Sequence, residues 1–151
     1  HDILESYRII CGGIINTLGE FGLRAEFVPV NDVVVSGRKI SGSAQSRRKS
    51  ALLQHGTLMY ATDLNTLANT LRAPKEKLRE HKVSSILERV TTISRELGRV
   101  VTKDETINAM IKGFSKALNT DFVRGWYTKE ELKLAEELVS KYVSHEWIFQ
   151  R

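Results

Sequence analysis

Asn31-Asp32-Val33-Val34-Val35-Ser36-Gly37-Arg38-Lys39-Ile40-Ser41-Gly42-Ser43-Ala44-Gln45, followed ten residues later by His55-Gly56-Thr57-Leu58, is the stretch that decides the fold. Its period is extended, not helical. It sets Lys39 on a strand whose following neighbours are almost all Gly, Ser and Ala, residues small enough to let a ligand approach the backbone while one cation reaches it. A phosphate-bearing or acyl-adenylate ligand suits such a surface.

Working outward, Ala25 to Val28, Val30 to Ser36, Arg38 to Arg47 and Ala51 to Ala61 read as short strands, punctuated by Pro29, Gly37 and the basic turn Arg47-Arg48-Lys49. No connection among them is long enough for a crossover helix, so the strands meander antiparallel. Before them, Tyr7, Ile10, Ile14, Leu18 and Phe21 recur at three- and four-residue steps and predict a helix from Ile3 that stops near Gly22. Cys11 lies on its apolar stripe and reads as a small buried hydrophobe.

After the strands the helical period returns. Thr62 and Asp63 can cap a helix over Leu64 to Leu71, with Pro74 barring its continuation. Thr102-Lys103-Asp104-Glu105 and Thr128-Lys129-Glu130-Glu131 have capping-box spacing. The stripes behind them are Ile107, Met110, Ile111, Phe114 and Leu118, then Leu132, Ala135, Leu138 and Tyr142. A further strand is expected over Phe122 to Tyr127, and a solvated helix face over Lys75 to Lys82. Strands followed by helices predict an α+β domain with a mostly antiparallel sheet, not a doubly wound one.

At 151 residues and 41% hydrophobic composition the chain has the material for one domain with a real core. It contains no run of about 18 apolar residues, which argues against membrane insertion. A single cysteine forms no internal disulfide and fits a reducing, cytoplasmic setting. The net charge of +5 favours anionic partners without choosing among them. Nucleic acid is the weaker choice, because only Phe27 and Tyr60 supply aromatics to the strands.

The same residues carry a resemblance. Asn31-Asp32, Gly37-Arg38-Lys39-Ile40-Ser41-Gly42-Ser43-Ala44 and His55-Gly56-Thr57-Leu58 resemble the core of the lipoate–protein ligase family, which has a biotin/lipoate ligase-like catalytic domain. The likeness continues in order through Asp63-Leu64-Asn65-Thr66-Leu67-Ala68-Asn69, Lys75-Glu76-Lys77-Leu78, Val83-Ser84-Ser85-Ile86 and Arg89-Val90-Thr91, and ends at Trp147. It implies a two-step ligase that uses ATP and magnesium: lipoate becomes lipoyl-adenylate, and the acyl group then passes to a lysine of an acceptor. The acceptors implied are the lipoyl domains of 2-oxoacid dehydrogenases or the glycine cleavage H protein.

By the same resemblance Lys39 contacts the acyl carbonyl region and the nucleotide phosphate, with Gly42, Ser43 and Ala44 beside it. Asn31 and Asp32 would contact nucleotide, Asp32 also magnesium, although Asn-Asp before a strand is also ordinary turn chemistry. His55, with Gly56 and Thr57, would line the acyl pocket; a hydrogen-bonded, half-buried strand histidine is the alternative. His1 and Asp2 match the end of the family's glycine-rich segment, while Arg38, Arg47, Arg48 and Lys49 form a cationic border. The Arg-Arg and glycine-rich run expected before His1 and a smaller C-terminal accessory domain are both missing. Residues 1–151 therefore read as the C-terminal portion of a catalytic domain, incomplete, and expected to be inactive without an N-terminal segment or a second chain. Related octanoyl or lipoyl transferases use a cysteine thioester placed just before the Gly-Arg-Lys strand. Here that neighbourhood, Phe27 to Asp32, contains no cysteine, which favours the ligase; a non-catalytic lipoate- or nucleic-acid-binding module is the other alternative.

Overall fold

The opening helix begins where Asp2 accepts a hydrogen bond from the Leu4 amide, and its apolar residues recur so as to bury one stripe. In the computed structural model, which describes residues 2–48, 51–71 and 86–150, this helix, α1, spans Ile3–Glu20. Four strands follow: β1 (Ala25–Val28), β2 (Asp32–Val35), β3 (Arg38–Arg48) and β4 (Ala51–Leu58). They pair in chain order as one antiparallel sheet. Ser36 and Gly37 make the β2–β3 turn with φ of 50° and 73°; two positive φ values suit a two-residue hairpin loop, and glycine takes the second without strain.

Short helices α2 (Leu64–Thr70), α3 (Ile86–Arg89) and α4 (Ile93–Leu97) come next, then α5 (Lys103–Leu118). Cys11, Ile14 and Leu18 of α1 bury against Val33, Val35 and Ile40 of the sheet, with Ile93 and Val101 completing the core. On its other side α1 packs against α5. This contact is made by small residues: a Cβ added at Gly113 would lie 2.5 Å from the Thr17 nitrogen and 2.7 Å from the Gly13 carbonyl oxygen. One added to Gly13 would lie 2.5 Å from the Phe114 ring.

That interface corrects the expected α5 stripe. Met110 and Phe114 of that stripe pack against the core as expected, but Ile107, Ile111 and Leu118 are exposed, while Thr106, Ala109 and Gly113 are buried, because close approach of the two helix backbones requires small residues where they cross. The capping box at Thr102 is formed as expected. Strand limits also contract: β2 begins at Asp32, not Val30, and β4 ends at Leu58. Beyond it the Met59 amide bonds to the Ile40 carbonyl, while the Met59 and Tyr60 carbonyls receive the amides of Ile93 and Ser94.

Phe122–Arg151 forms a separate unit. The expected strand over Phe122 to Tyr127 is absent. Val123 and Trp126 are 91% and 85% exposed, and β-favouring side chains make no strand without a partner edge or a surface to cover them. The helix α6 (Lys129–Tyr142) has its full capping box at Thr128, yet its expected stripe is not buried; only Leu138 is half-covered. A last turn of helix, α7 (His145–Ile148), brings Trp147 edge-on to Tyr142 at 4.7 Å between ring centres, with the Lys141 ammonium over both rings. The expected helix face over Lys75 to Lys82 lies outside the described residues, as do Pro74 and Lys49. No described helix is long and apolar enough to cross a membrane.

Candidate functional site

The register of β2 against β3 builds the site. Asp32 stands opposite Gly42, and Val33 opposite Ser41, but Val34 stands opposite Lys39, so one residue of β3, Ile40, is bulged. Ile40 and Ser41 are in consequence both buried toward α1. Without the bulge, alternation would put Lys39 and Ser41 on one face; with it, Lys39 shares the face turned away from α1 with Asp32 and Gly42. Alternation then adds Ala44 to that face, and the β4 residues opposite Gly42 and Ala44 are Thr57 and His55.

On this outer face the Lys39 ammonium lies 2.6 Å from Asp32 Oδ1, with the lysine side chain 43% exposed. Gly42 is what allows it. A Cβ there would stand 2.8 Å from both Cε and Nζ of Lys39, so any other residue would lift the lysine off the strand. A partly solvated pair of this kind contributes at most about 1 kcal/mol, so Lys39 can exchange Asp32 for a more highly charged anion at little cost. Asp32 supplies one carboxylate beside it. Among the described residues no group of three His, Cys, Asp or Glu is placed to hold a metal ion by itself.

The opposite face is closed. Ser43 and Gln45 lie toward α1, where Gln45 accepts from Ser6 and donates to Gln54 at 2.7 Å. Gln54 in turn donates to Cys11 Sγ at 3.8 Å, and Ser43 Oγ lies 4.0 Å from the same sulfur. Cys11 is 0% exposed, and burial pushes its thiol above the ordinary range. Those neighbours pull the other way, but less.

The expected residues therefore separate. Asp32, Lys39, Gly42, Ala44, His55 and Thr57 share the outer face, where His55 is exposed, not the half-buried strand histidine that was the alternative. Ser43 turns inward and is buried, whereas Gly56, opposite it on β4, is exposed. Asn31 sits at the entry to β2, where its side chain donates to the Ser43 carbonyl at 2.5 Å and its own carbonyl accepts from the Ser43 amide at 3.0 Å. His1 lies outside the described residues. Of the cationic border, Arg47 is tied to Ser6 and Gln45, and Arg38 to Glu96 at 2.7 Å. Glu96 and its link to this strand carry no signal in the sequence.

Residues 1–115 match the family described as the lipoyl protein ligase A/B catalytic domain. The chain belongs to that family. Among its curated relatives in this lipoyl ligase family is the octanoyltransferase LipM of Brevibacillus brevis, 31% identical over 99% of this chain and 63% of that protein. The chain spans about three fifths of the length of the curated relatives it matches. Among solved structures it is similar to the bi-partite lipoate protein ligase of Thermoplasma acidophilum, determined with its E2 lipoyl domain. There the TM-score is 0.81 at 37% identity, over 97% of this chain and 58% of that one. A lipoate-protein ligase A bound with ATP gives a TM-score of 0.80 at 33% identity, over 97% of this chain and 59% of that one. The α+β ligase fold is thereby shown. Relatives named as transferase and as ligase both stand among the matches.

Proposed function

We propose that this chain is the Lys39-bearing part of a lipoate–protein ligase catalytic domain. It would convert lipoate and ATP to lipoyl-adenylate and pyrophosphate, and pass the lipoyl group to a lysine of an acceptor domain. In the first step a lipoate carboxylate oxygen bonds to the α-phosphorus as the bond to pyrophosphate breaks. In the second the acceptor amine displaces AMP from the acyl carbon and loses a proton. Charge gathers at the carboxylate and α-phosphate as they join, where a fixed ammonium is most effective. At an effective dielectric near 20, unit charges about 4 Å apart attract by roughly 4 kcal/mol. The outer-face Lys39, held low over Gly42, carries this reading.

Magnesium arriving on nucleotide phosphates needs only one or two protein carboxylates, a role Asp32 fits; it would neutralise phosphate charge. His55 and Thr57, exposed on the same face, are the candidates for the acyl side. The acceptor would be a lipoyl domain, the kind of partner determined with the Thermoplasma ligase, and completion by a further segment or second chain belongs to the same reading.

The LipM relatives favour a second reading, octanoyl transfer through an enzyme thioester. It requires an accessible, activated thiolate. The neighbourhood before the Gly-Arg-Lys strand, Phe27 to Asp32, holds no cysteine, and Cys11 is buried with a raised pKa, which supports the ligase. ATP-dependent release of pyrophosphate on adding lipoate tests the choice. Transfer of an octanoyl group without ATP would contradict the ligase reading.

A further inference from the structure

Lys39 occupies a weak place in the backbone. The β2–β3 turn lies just before it and the bulge at Ile40 just after, so only Val34–Lys39 and Val35–Arg38 pair between them. Its position is fixed from the other side. The Lys39 carbonyl accepts from the Thr91 amide at 2.9 Å, and Val90 makes a parallel bridge to Lys39. Both supports converge on a single carboxylate. Glu96 of α4, its side chain only 10% exposed, accepts from Arg38 Nη2 at 2.7 Å and from the Thr91 hydroxyl through the same oxygen, Oε1.

We infer that Glu96 is a positioning residue for Lys39, clamping through Arg38 and Thr91 the peptide that aims the lysine at the outer-face site. Arg38 is the neighbour of Lys39 in the strand, and Thr91 is wholly buried. Arg38 Nε is buried without an acceptor among the described residues, so the guanidinium depends on its bond to Glu96. Removing the carboxylate leaves both donors without their shared acceptor, and the free energy of re-pairing them falls on the short turn-to-bulge segment. Lys39 should then lose its fixed approach to Asp32. The inference deepens the ligase reading, since it concerns the same lysine, but its test needs neither nucleotide nor lipoate.

The test is the rate at which an amine reagent modifies Lys39, measured by mass spectrometry relative to Lys112 in the same molecules. D32N removes the partner of Lys39 directly and should raise the ratio by about two- to fivefold, the scale of a partly exposed ion pair. E96A should raise it comparably and T91V less, whereas E96Q, which retains an acceptor for both donors, should stay near the parent. Unchanged Lys39 labelling in a folded E96A protein overturns the clamp. Labelling of E96Q as fast as E96A also overturns it, by assigning the effect to lost charge. Should E96A fail to fold, T91V decides: faster labelling supports the clamp and an unchanged rate overturns it. Failure of the ligase reading would appear only in the adenylation assay.

Discussion

Lys39 stands on one face of the sheet and Cys11 of α1 packs against the other, and the two faces treat their side chains oppositely. Lys39 lies on the face turned from α1, paired with Asp32 across the bare backbone of Gly42 and open to solvent. Cys11 lies against the other face, sealed beneath Ser43 and Gln54, with its thiolate disfavoured by burial. On the ligase reading, a charge that meets a changing ligand belongs where water and ligand can reach it. A sulfur that only fills space belongs where neither can.

This contrast makes separable demands on the two faces. On the open face, Lys39→Ala in the complete enzyme should lower adenylation about a hundredfold or more, the usual loss of one preorganised charge-stabilising group, with unchanged unfolding. Pyrophosphate release gives the rate and a melting curve the control. Near-normal release would remove Lys39 from the chemistry.

On the packed side the reverse should hold. A methyl group at Gly113 meets the backbone of α1, which cannot swing aside as a flexible side chain would. Overpacking costs about 1–3 kcal/mol or more and should outweigh the ~1 kcal/mol that alanine gains over glycine within a helix. Gly113→Ala should therefore lower the denaturant midpoint, while activity per folded molecule stays the same. An unshifted midpoint would mean that α1 and α5 do not approach so closely.

The smallest effect is expected at the cap of α6, in the unit Phe122–Arg151. The Thr128 amide holds the Glu131 carboxyl below the ordinary carboxylate range. Its folded pKa is depressed, so its contribution is present above the ordinary pKa and disappears as pH falls through the folded value. Glu131→Gln retains a capping acceptor but should abolish the part of the acid-induced change in the Thr128 amide shift that follows the carboxyl. A titration identical to that of the parent would contradict the box.

The sequence carried the strand order, the helix starts and the Lys39 neighbourhood because each depends on local chemistry: hydroxyl and carboxylate caps, the Ser36-Gly37 turn, and alternating apolar residues. What it concealed depends on contacts distant in the chain. The bulge at Ile40 decides the face of every β3 side chain before it, yet nothing in Arg38-Lys39-Ile40-Ser41 announces it. Phe122 to Tyr127 has strand composition but forms no strand, since composition alone supplies no pairing partner. Of the helical stripe on α5, Met110 and Phe114 pack against the core, but Ile107, Ile111 and Leu118 do not, and the small residues Thr106, Ala109 and Gly113 are buried in their place. Glu96 was invisible for the same reason, since its importance comes from Arg38, far back in the chain.

The contrast between the faces is tested most directly by Cys11→Ala in the complete enzyme, supplied with lipoate and hydroxylamine, with and without ATP and magnesium. On the ligase reading the activated acyl group is an adenylate formed on the Lys39 face, so the variant should form lipoyl-hydroxamate at close to the parent rate and only when ATP is present. Loss of hydroxamate in folded Cys11→Ala, together with an acyl-thioester on Cys11 in the parent, would place the chemistry on the face packed against α1 and contradict the ligase reading.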